Sequence, residues 1–391
     1  MGILDDITVV DLAHHMAGPL CTQKLGDLGA NVIKVEPPGG EWGRLRPINN
    51  LFVGTTNTSF LSLNRNKRGI TLNLKSEAGR EILYKLIAKA DVCIHNYRPA
   101  AAMRLKVDYE SIAAVNPRVI YCAVAGYGST GPRADRAGQD LIVQAYSGLA
   151  WNAGRESDPP MAAGCFVADA TTGYMAMMGI LAALYHRQRT GEGQRIEVDL
   201  LSSCLDVQIQ ELTTFLNTGW SPARPRERLA HRMANPPYGI HQTADGYIAL
   251  AMTPFDVLAD ALDCDELKRY SWDEGYHHQD EIFRIVAERL RTRSTRDWIE
   301  TFDSKGVWSG PVNQYEQLAS DPNVTANGMV QVVHDGNGRS VKYVGFPIRF
   351  SSTPAEIRRH PPGLGEHNQE VLGSLGFSAA EVEELRESGV L

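Results

Sequence analysis

Through the first third of the chain, short apolar runs alternate with stretches whose apolar residues recur at helical spacing. Residues 7–12, 31–36, 70–74, 91–94 and 119–125 predict strands, and 19–28 and 76–89 predict helices between them. Strands that alternate with helices in this way belong to a parallel sheet. Ser76 stands where an N-cap is needed, and Gly29 where the preceding helix should stop. Glycine and proline then mark a loop over 126–137.

From 169 to 189 apolar residues cover nearly all faces, and Thr190, Gly191, Glu192 and Gly193 end the segment before a strand at 195–198. A long helix is expected from 200 to about 216. At 221–228 the composition turns proline-rich and charged, which reads as a linker. Beyond it come a hairpin over 238–252 with its turn at 244–246, amphipathic helices over 255–267, 279–290 and 295–305, strands at 330–333 and 341–344, a proline-rich run at 354–362 and a last helix at 378–388.

Composition narrows the partners. The formal net charge is −7 over 391 residues, and no run of five or six basic residues interrupts it, so a nucleic-acid partner is not expected. Six cysteines, Cys21, Cys93, Cys122, Cys165, Cys204 and Cys264, form no C-x-x-C pair, which argues against a metal site or a disulfide framework and for a reducing cytoplasm. The acidic opening Asp5-Asp6 is unlike a secretory leader. The longest apolar helical stretch, 174–185, falls short of the roughly 20 residues that cross a membrane and reads as a buried helix.

Two segments bear on chemistry. Glu36 closes the second strand where the ribose-binding acid of a dinucleotide fold would stand, but the first turn reads His14-His15-Met16-Ala17-Gly18-Pro19 and lacks the glycine cradle for a pyrophosphate. NAD or FAD is therefore not expected. The His14-His15 pair near a strand end reads as partly buried and hydrogen-bonded. At Ala168-Asp169-Ala170-Thr171-Thr172-Gly173 an aspartate stands at a loop-to-helix junction. Its ordinary role there is an N-cap; a nucleophilic carboxylate would also gain from that place, because the positive helix end keeps it ionised and free N–H groups steady an oxyanion.

Asp11-Leu12 with Ala17-Gly18-Pro19, the run from Asp27 to Glu36, Asn64-Arg65-Asn66-Lys67-Arg68, Gly126-Tyr127-Gly128, Asp169-Ala170-Thr171-Thr172-Gly173 and the run from Arg189 to Gln194 together resemble the class III CoA-transferases, the CaiB/BaiF family of formyl-CoA transferase. Gly363-Leu364-Gly365-Glu366-His367-Asn368 extends the likeness to the C-terminal end.

The resemblance implies an α/β fold: a large domain with a Rossmann-like parallel sheet built from both chain ends (1–220 and 326–391), the 221–228 linker, and a small α+β domain over 229–325. It implies an interlocked homodimer, with coenzyme A and a carboxylic acid as substrates and no permanently bound cofactor or metal. Asp169 corresponds to the aspartate that attacks the thioester, and Asp140 to a neighbouring acid that orients the site or caps a helix. For coenzyme A it implicates His15, Met16 and Ala17; Leu72, Asn73, Leu74 and Lys75; Asn96, Tyr97 and Arg98; Arg104; and Arg136, Ala137, Gly138 and Gln139. Guanidinium groups suit the phosphates, and Tyr97 suits the adenine.

The departures also inform. Formyl-CoA transferases carry glutamine where this chain has Met16, and a glycine-rich loop where it has Ala251-Met252-Thr253-Pro254, so oxalate and formate are not expected. The related racemases read A-G-H-D where this chain reads Ala137-Gly138-Gln139-Asp140, and glutamine cannot exchange a proton at neutral pH. The 64–68 run and the Gly-Tyr-Gly segment look nearest to members acting on dicarboxylic acids such as succinate and glutarate. Three readings stand: a CoA-transferase, which is favoured, a CoA-thioester racemase, and a non-catalytic CoA-binding protein.

Overall fold

The computed structural model of the protein describes residues 2–46, 48–334 and 340–391. The chain forms two compact units: the larger runs to Val143 and adds Phe166–Val207 and Pro322–Leu391, and the smaller takes Gln144–Cys165 and Gln208–Asp321. In the larger, the strands are β1 (Thr8–Asp11), β2 (Asn31–Glu36), the short pair β3 (Phe52–Val53) and β4 (Thr56–Asn57), β5 (Lys67–Thr71), β6 (Val92–His95), β7 (Ile120–Ala125) and β8 (Gln194–Asp199). Six of these make one parallel sheet in the order β5-β2-β1-β6-β7-β8. That is the doubly wound order, in which the winding reverses between β1 and β6 and opens a crevice at their carboxyl ends. Val9 and Val10 of β1 and Val92, Cys93 and Ile94 of β6 are wholly buried, as a sheet covered on both faces requires.

The first helix, Ala17–Asp27, is buried along its whole length. It packs beside a 24-residue helix, Val167–Thr190, which the expected 174–185 stretch covers only in its middle. By length and composition this helix could cross a membrane. Here one side of it lies in the core: Ala176, Ile180 and Ala183 are buried, and Arg187 pairs with Asp91 at 2.7 Å. Gly173 lets it approach the first helix, since a Cβ there would stand 2.8 Å from the Ala17 carbonyl oxygen.

In the smaller unit β9 (Gly239–Gln242), β10 (Tyr247–Leu250) and β11 (Ser309–Pro311) form an antiparallel sheet. Helices Phe255–Leu262, Gln279–Leu290 and Thr295–Lys305 close a core around Ile248, Leu258, Trp298 and Phe302. The expected boundary needs correction. The 200–216 helix is two, Leu200–Val207 and Ile209–Thr218; the smaller unit resumes at the break between them and also claims Gln144–Cys165 from the expected 1–220 domain. Nor is 221–228 a bare linker. Arg224 is buried, donates to the carbonyls of Ala153, Asp158 and Pro159, and lies over the Trp151 ring, binding that stretch to 144–165.

The return to the larger unit begins at Pro322 and includes the antiparallel ribbon β12 (Val330–His334) and β13 (Ser340–Val344). Two of the sequence motifs meet here. His367 Nδ1 accepts the Gly69 N–H, Asn368 Oδ1 accepts the Thr71 N–H, and the edge of β5 is thereby covered. Asn66 Oδ1 accepts the N–H groups of both Arg358 and Arg359, while Arg65 grips Asp27 with two hydrogen bonds at 2.9 and 2.7 Å. The 64–68 run therefore fastens the chain ends together.

Candidate active site

The crevice is built where the strands stop. After β1 the chain turns through Ala13 and His14 into His15, whose φ of 66° is left-handed. Asn96, just past β6, donates to the His14 carbonyl at 2.8 Å and accepts its N–H at 2.9 Å, tying the two strand ends across the switch point. Burial, with help from the Lys34 charge, lowers the His14 pKa to about 4, and burial also lowers that of His15. Both imidazoles are thus neutral at pH 7. Burial likewise raises the Tyr97 hydroxyl far above its usual range.

At the end of β7, Gly126 faces Gly138 so closely that a Cβ on the first would lie 2.6 Å from the Cα of the second. This brings Ala137, Gly138, Gln139 and Asp140 against the sheet. Asp140 opens the helix Asp140–Tyr146 and is buried, and its Oδ1 accepts the backbone N–H groups of Ala168 and Asp169 at 2.8 and 3.1 Å. The cap expected of Asp169 is therefore supplied by Asp140. Asp169 instead sits within the first turn, with its side chain on the cavity.

Asp169 stays ionised at neutral pH, as expected, but its surroundings are not the ones expected. Loss of hydration, reinforced by the Asp140 charge, raises the Asp169 pKa to about 6. The helix end does not offset burial, because Asp140 has taken two of its N–H groups; those same groups are not free for an oxyanion. A carboxylate of that pKa is still roughly nine-tenths ionised at pH 7, and it is more basic and less hydrated than an ordinary one. The neighbours in its motif are structural: Thr171 and Thr172 donate back to the carbonyls of Val167 and Ala168.

A cavity of about 940 Å³ joins these groups. Of the residues expected to hold coenzyme A, it gathers His15, Met16, Ala17, Asn96, Tyr97, Arg98, Arg136, Ala137, Gly138 and Gln139, together with Asp140 and Asp169. It does not gather Leu72, Asn73, Leu74, Lys75 or Arg104. The strand expected over 70–74 ends at Thr71, and Leu72 and Leu74 turn into the core. Lys75 and Arg104 are exposed elsewhere on the unit.

One wall, drawn from 41–63, escaped the sequence reading. It includes Glu41, Trp42, Arg46 and Phe60, on short irregular elements with no sustained periodicity. Only the run Glu41-Trp42-Gly43-Arg44-Leu45-Arg46, unusually rich in charge and aromatic surface for a turn, could have flagged it. Glu36 is not available to a ribose, since Arg44 grips both its oxygens at 2.7 and 2.9 Å. Among the described residues, no group of three or more His, Cys, Asp or Glu is placed to hold a metal.

Residues 4–368 match the profile of CoA-transferase family III. Succinyl-CoA:glutarate CoA-transferase of Homo sapiens is 34% identical, the match covering 99% of this chain and 90% of the relative. Succinate–glutarate CoA-transferase of Agrobacterium fabrum is 36% identical over 95% of both chains, and a formyl-CoA:oxalate CoA-transferase of Streptomyces avermitilis is 32% identical over 99% of both. A CAIB/BAIF family protein from Brucella suis, known as a crystal structure, superposes with a TM-score of 0.84 at 32% identity, covering 96% of this chain and 99% of that one.

Proposed function

The chain belongs to CoA-transferase family III, and from that premise we propose that it moves coenzyme A from a donor thioester such as succinyl-CoA to a small dicarboxylic acid, with Asp169 as the covalent carrier. An Asp169 oxygen attacks the thioester carbon, the C–S bond breaks, and the thiolate leaves behind a mixed anhydride. The thiolate then attacks the aspartyl carbonyl, the C–O bond to the donor acid breaks, and an aspartyl-CoA thioester remains. The acceptor carboxylate runs the same two steps in reverse, with no net proton or redox change. Each acyl transfer is thereby divided into easier covalent steps.

The observation that carries this reading is the state of Asp169: a half-buried carboxylate on the cavity wall whose charge no cation among the described residues compensates, its pKa raised to about 6 by lost hydration and the Asp140 charge. Arg98, Arg136 and Tyr97 on the same cavity suit coenzyme A's phosphates and adenine. Asp140 positions Asp169 through the backbone. The names of the human and Agrobacterium relatives support a dicarboxylate acceptor.

An interlocked homodimer is part of the proposal, supported by the apolar Tyr174, Met178 and Tyr185 left exposed on the long helix. A cytoplasmic setting is supported by six free cysteines, five of them buried. The test is chemical. Donor thioester without acceptor should leave a CoA adduct on the peptide containing Asp169, released by hydroxylamine; an adduct on another residue, or none, overturns the mechanism.

A further inference from the structure

Two arginines two residues apart in the 41–63 segment have opposite surroundings. Arg44 donates to both oxygens of Glu36 and to the Pro362 carbonyl, and it stacks on Phe60 with its guanidinium carbon 3.6 Å from the ring centre. Arg46 is exposed on the cavity that holds Asp169, and among the described residues its guanidinium has only the Trp42 ring, 5.8 Å away. The nearby acids are not available to it. Glu36 is taken by Arg44, and Glu41 is buried, with one oxygen accepting the N–H groups of His15 and Gly43 and the other 3.9 Å from Lys34.

Arg46 is thus a cation facing the reacting carboxylate's cavity with its hydrogen-bonding fork unspent. Arg98 and Arg136 stand on other walls and are assigned to coenzyme A. An acyl group from a monocarboxylic acid would leave Arg46 unused. An acyl group from a dicarboxylic acid keeps one carboxylate after the other is committed to the thioester, and that charge needs a partner as it leaves water. We propose that Arg46 receives this distal carboxylate and is the residue that selects dicarboxylic acids as substrates. The inference rests on the transfer reading above and adds to it the group that reads the acid.

The first half-reaction tests it with one acyl group at a time. Glutaryl-CoA and pentanoyl-CoA have five-carbon acyl chains and differ in the distal carboxylate. The rate at which each leaves a CoA adduct on Asp169 should favour glutaryl-CoA strongly in the unaltered protein. In Arg46→Ala that preference should fall tenfold or more, the scale of a lost charge-assisted contact, and Arg46→Lys should keep part of it. Affinity for free coenzyme A should be the same in all three. A preference unchanged in Arg46→Ala makes Arg46 a solvated surface arginine and overturns the proposal; so does an equal fall for both thioesters, which marks a structural role. If the unaltered protein forms no adduct from either thioester, the transfer reading itself fails, a result distinct from adducts that form without preference.

Discussion

Two aspartates at the carboxyl end of the same sheet show how one side chain serves two purposes. Burial would raise the pKa of Asp11, but Lys67 at 3.0 Å, Lys34 and the Thr22 hydroxyl at 2.7 Å overcome it and hold the carboxyl below the ordinary range. Burial also raises Asp169, and there the charge that acts on it is another carboxylate, Asp140, so the pKa climbs to about 6. Both oxygens of Asp11 are engaged: Oδ2 accepts from Thr22 and Lys67, and Oδ1 from the Ala13 N–H that starts the turn to His14. Compensated charge makes a fixed point in the fold. Uncompensated charge on a cavity is reactive.

The largest effect expected is on chemistry. Asp169→Asn is nearly isosteric and leaves the Asp140 cap in place, yet an amide oxygen is too weak a nucleophile to open a thioester. Transfer should fall by at least ~10³, the scale seen when a covalent catalyst is removed, with the fold intact and coenzyme A affinity close to the unaltered protein. Retention of a tenth of the activity would make Asp169 a bystander. Asp11→Asn should do the converse. It leaves Lys67 buried without its counter-charge, and removing one partner of a buried pair costs about 3–5 kcal/mol. Urea unfolding should register this, and a loss below about 1 kcal/mol, the level of a surface pair, would remove the contrast.

The same comparison explains what the sequence could tell. Strand and helix order was readable because buried parallel strands and amphipathic helices carry periodicity, and Ser76 does cap its helix, accepting the Gly79 N–H at 3.1 Å. Asp169 could be found because the run from Asp169 to Gly173 resembles a motif of the family; its place at a helix start alone reads as a cap. What could not be read was which polar residues were compensated. Asn66, Lys67, His367 and Asn368 look as chemical as Asp169 in the sequence, and all four are spent on holding chain segments together across about 300 positions or in a buried ion pair. The capping role passed from Asp169 to Asp140 through a contact 28 residues distant, which no local pattern records. The 41–63 wall lacked periodicity, so its part in the cavity emerged only from the fold.

Asp140 offers a finer test of the contrast. Asp140→Asn keeps an oxygen for the N–H groups of Ala168 and Asp169 but removes the negative charge beside Asp169. The Asp169 pKa should fall, and the acid limb of the rate should move to lower pH. A less basic nucleophile and a less exact cap should cost about tenfold in rate, some 1.4 kcal/mol in barrier. Loss as deep as in Asp169→Asn would show that Asp140 takes part in bond making.

The smallest effect is on stability and turns on sign. The folded pKa of Asp169, about 6, lies above the value near 3.9 of an unfolded aspartate. Between those values the native state binds more protons than the unfolded one, so this group's contribution is favourable at low pH and is lost as pH rises through 6. Asp11, with its lowered pKa, has the opposite slope: its contribution is full above about 3.9 and is lost as pH falls through the folded value. Asp169→Asn should therefore be more stable than the unaltered protein above pH 6. The ceiling is about 1.4 kcal/mol per pKa unit, and partial hydration reduces the gain to about 1–2 kcal/mol. The difference should shrink steadily towards pH 4. Melting curves of the two proteins at pH 4.5 and 7.5 measure it, and a gap that is equal at both values would show that the ionised Asp169 carries no penalty, which would leave its reactivity without the electrostatic cause argued above.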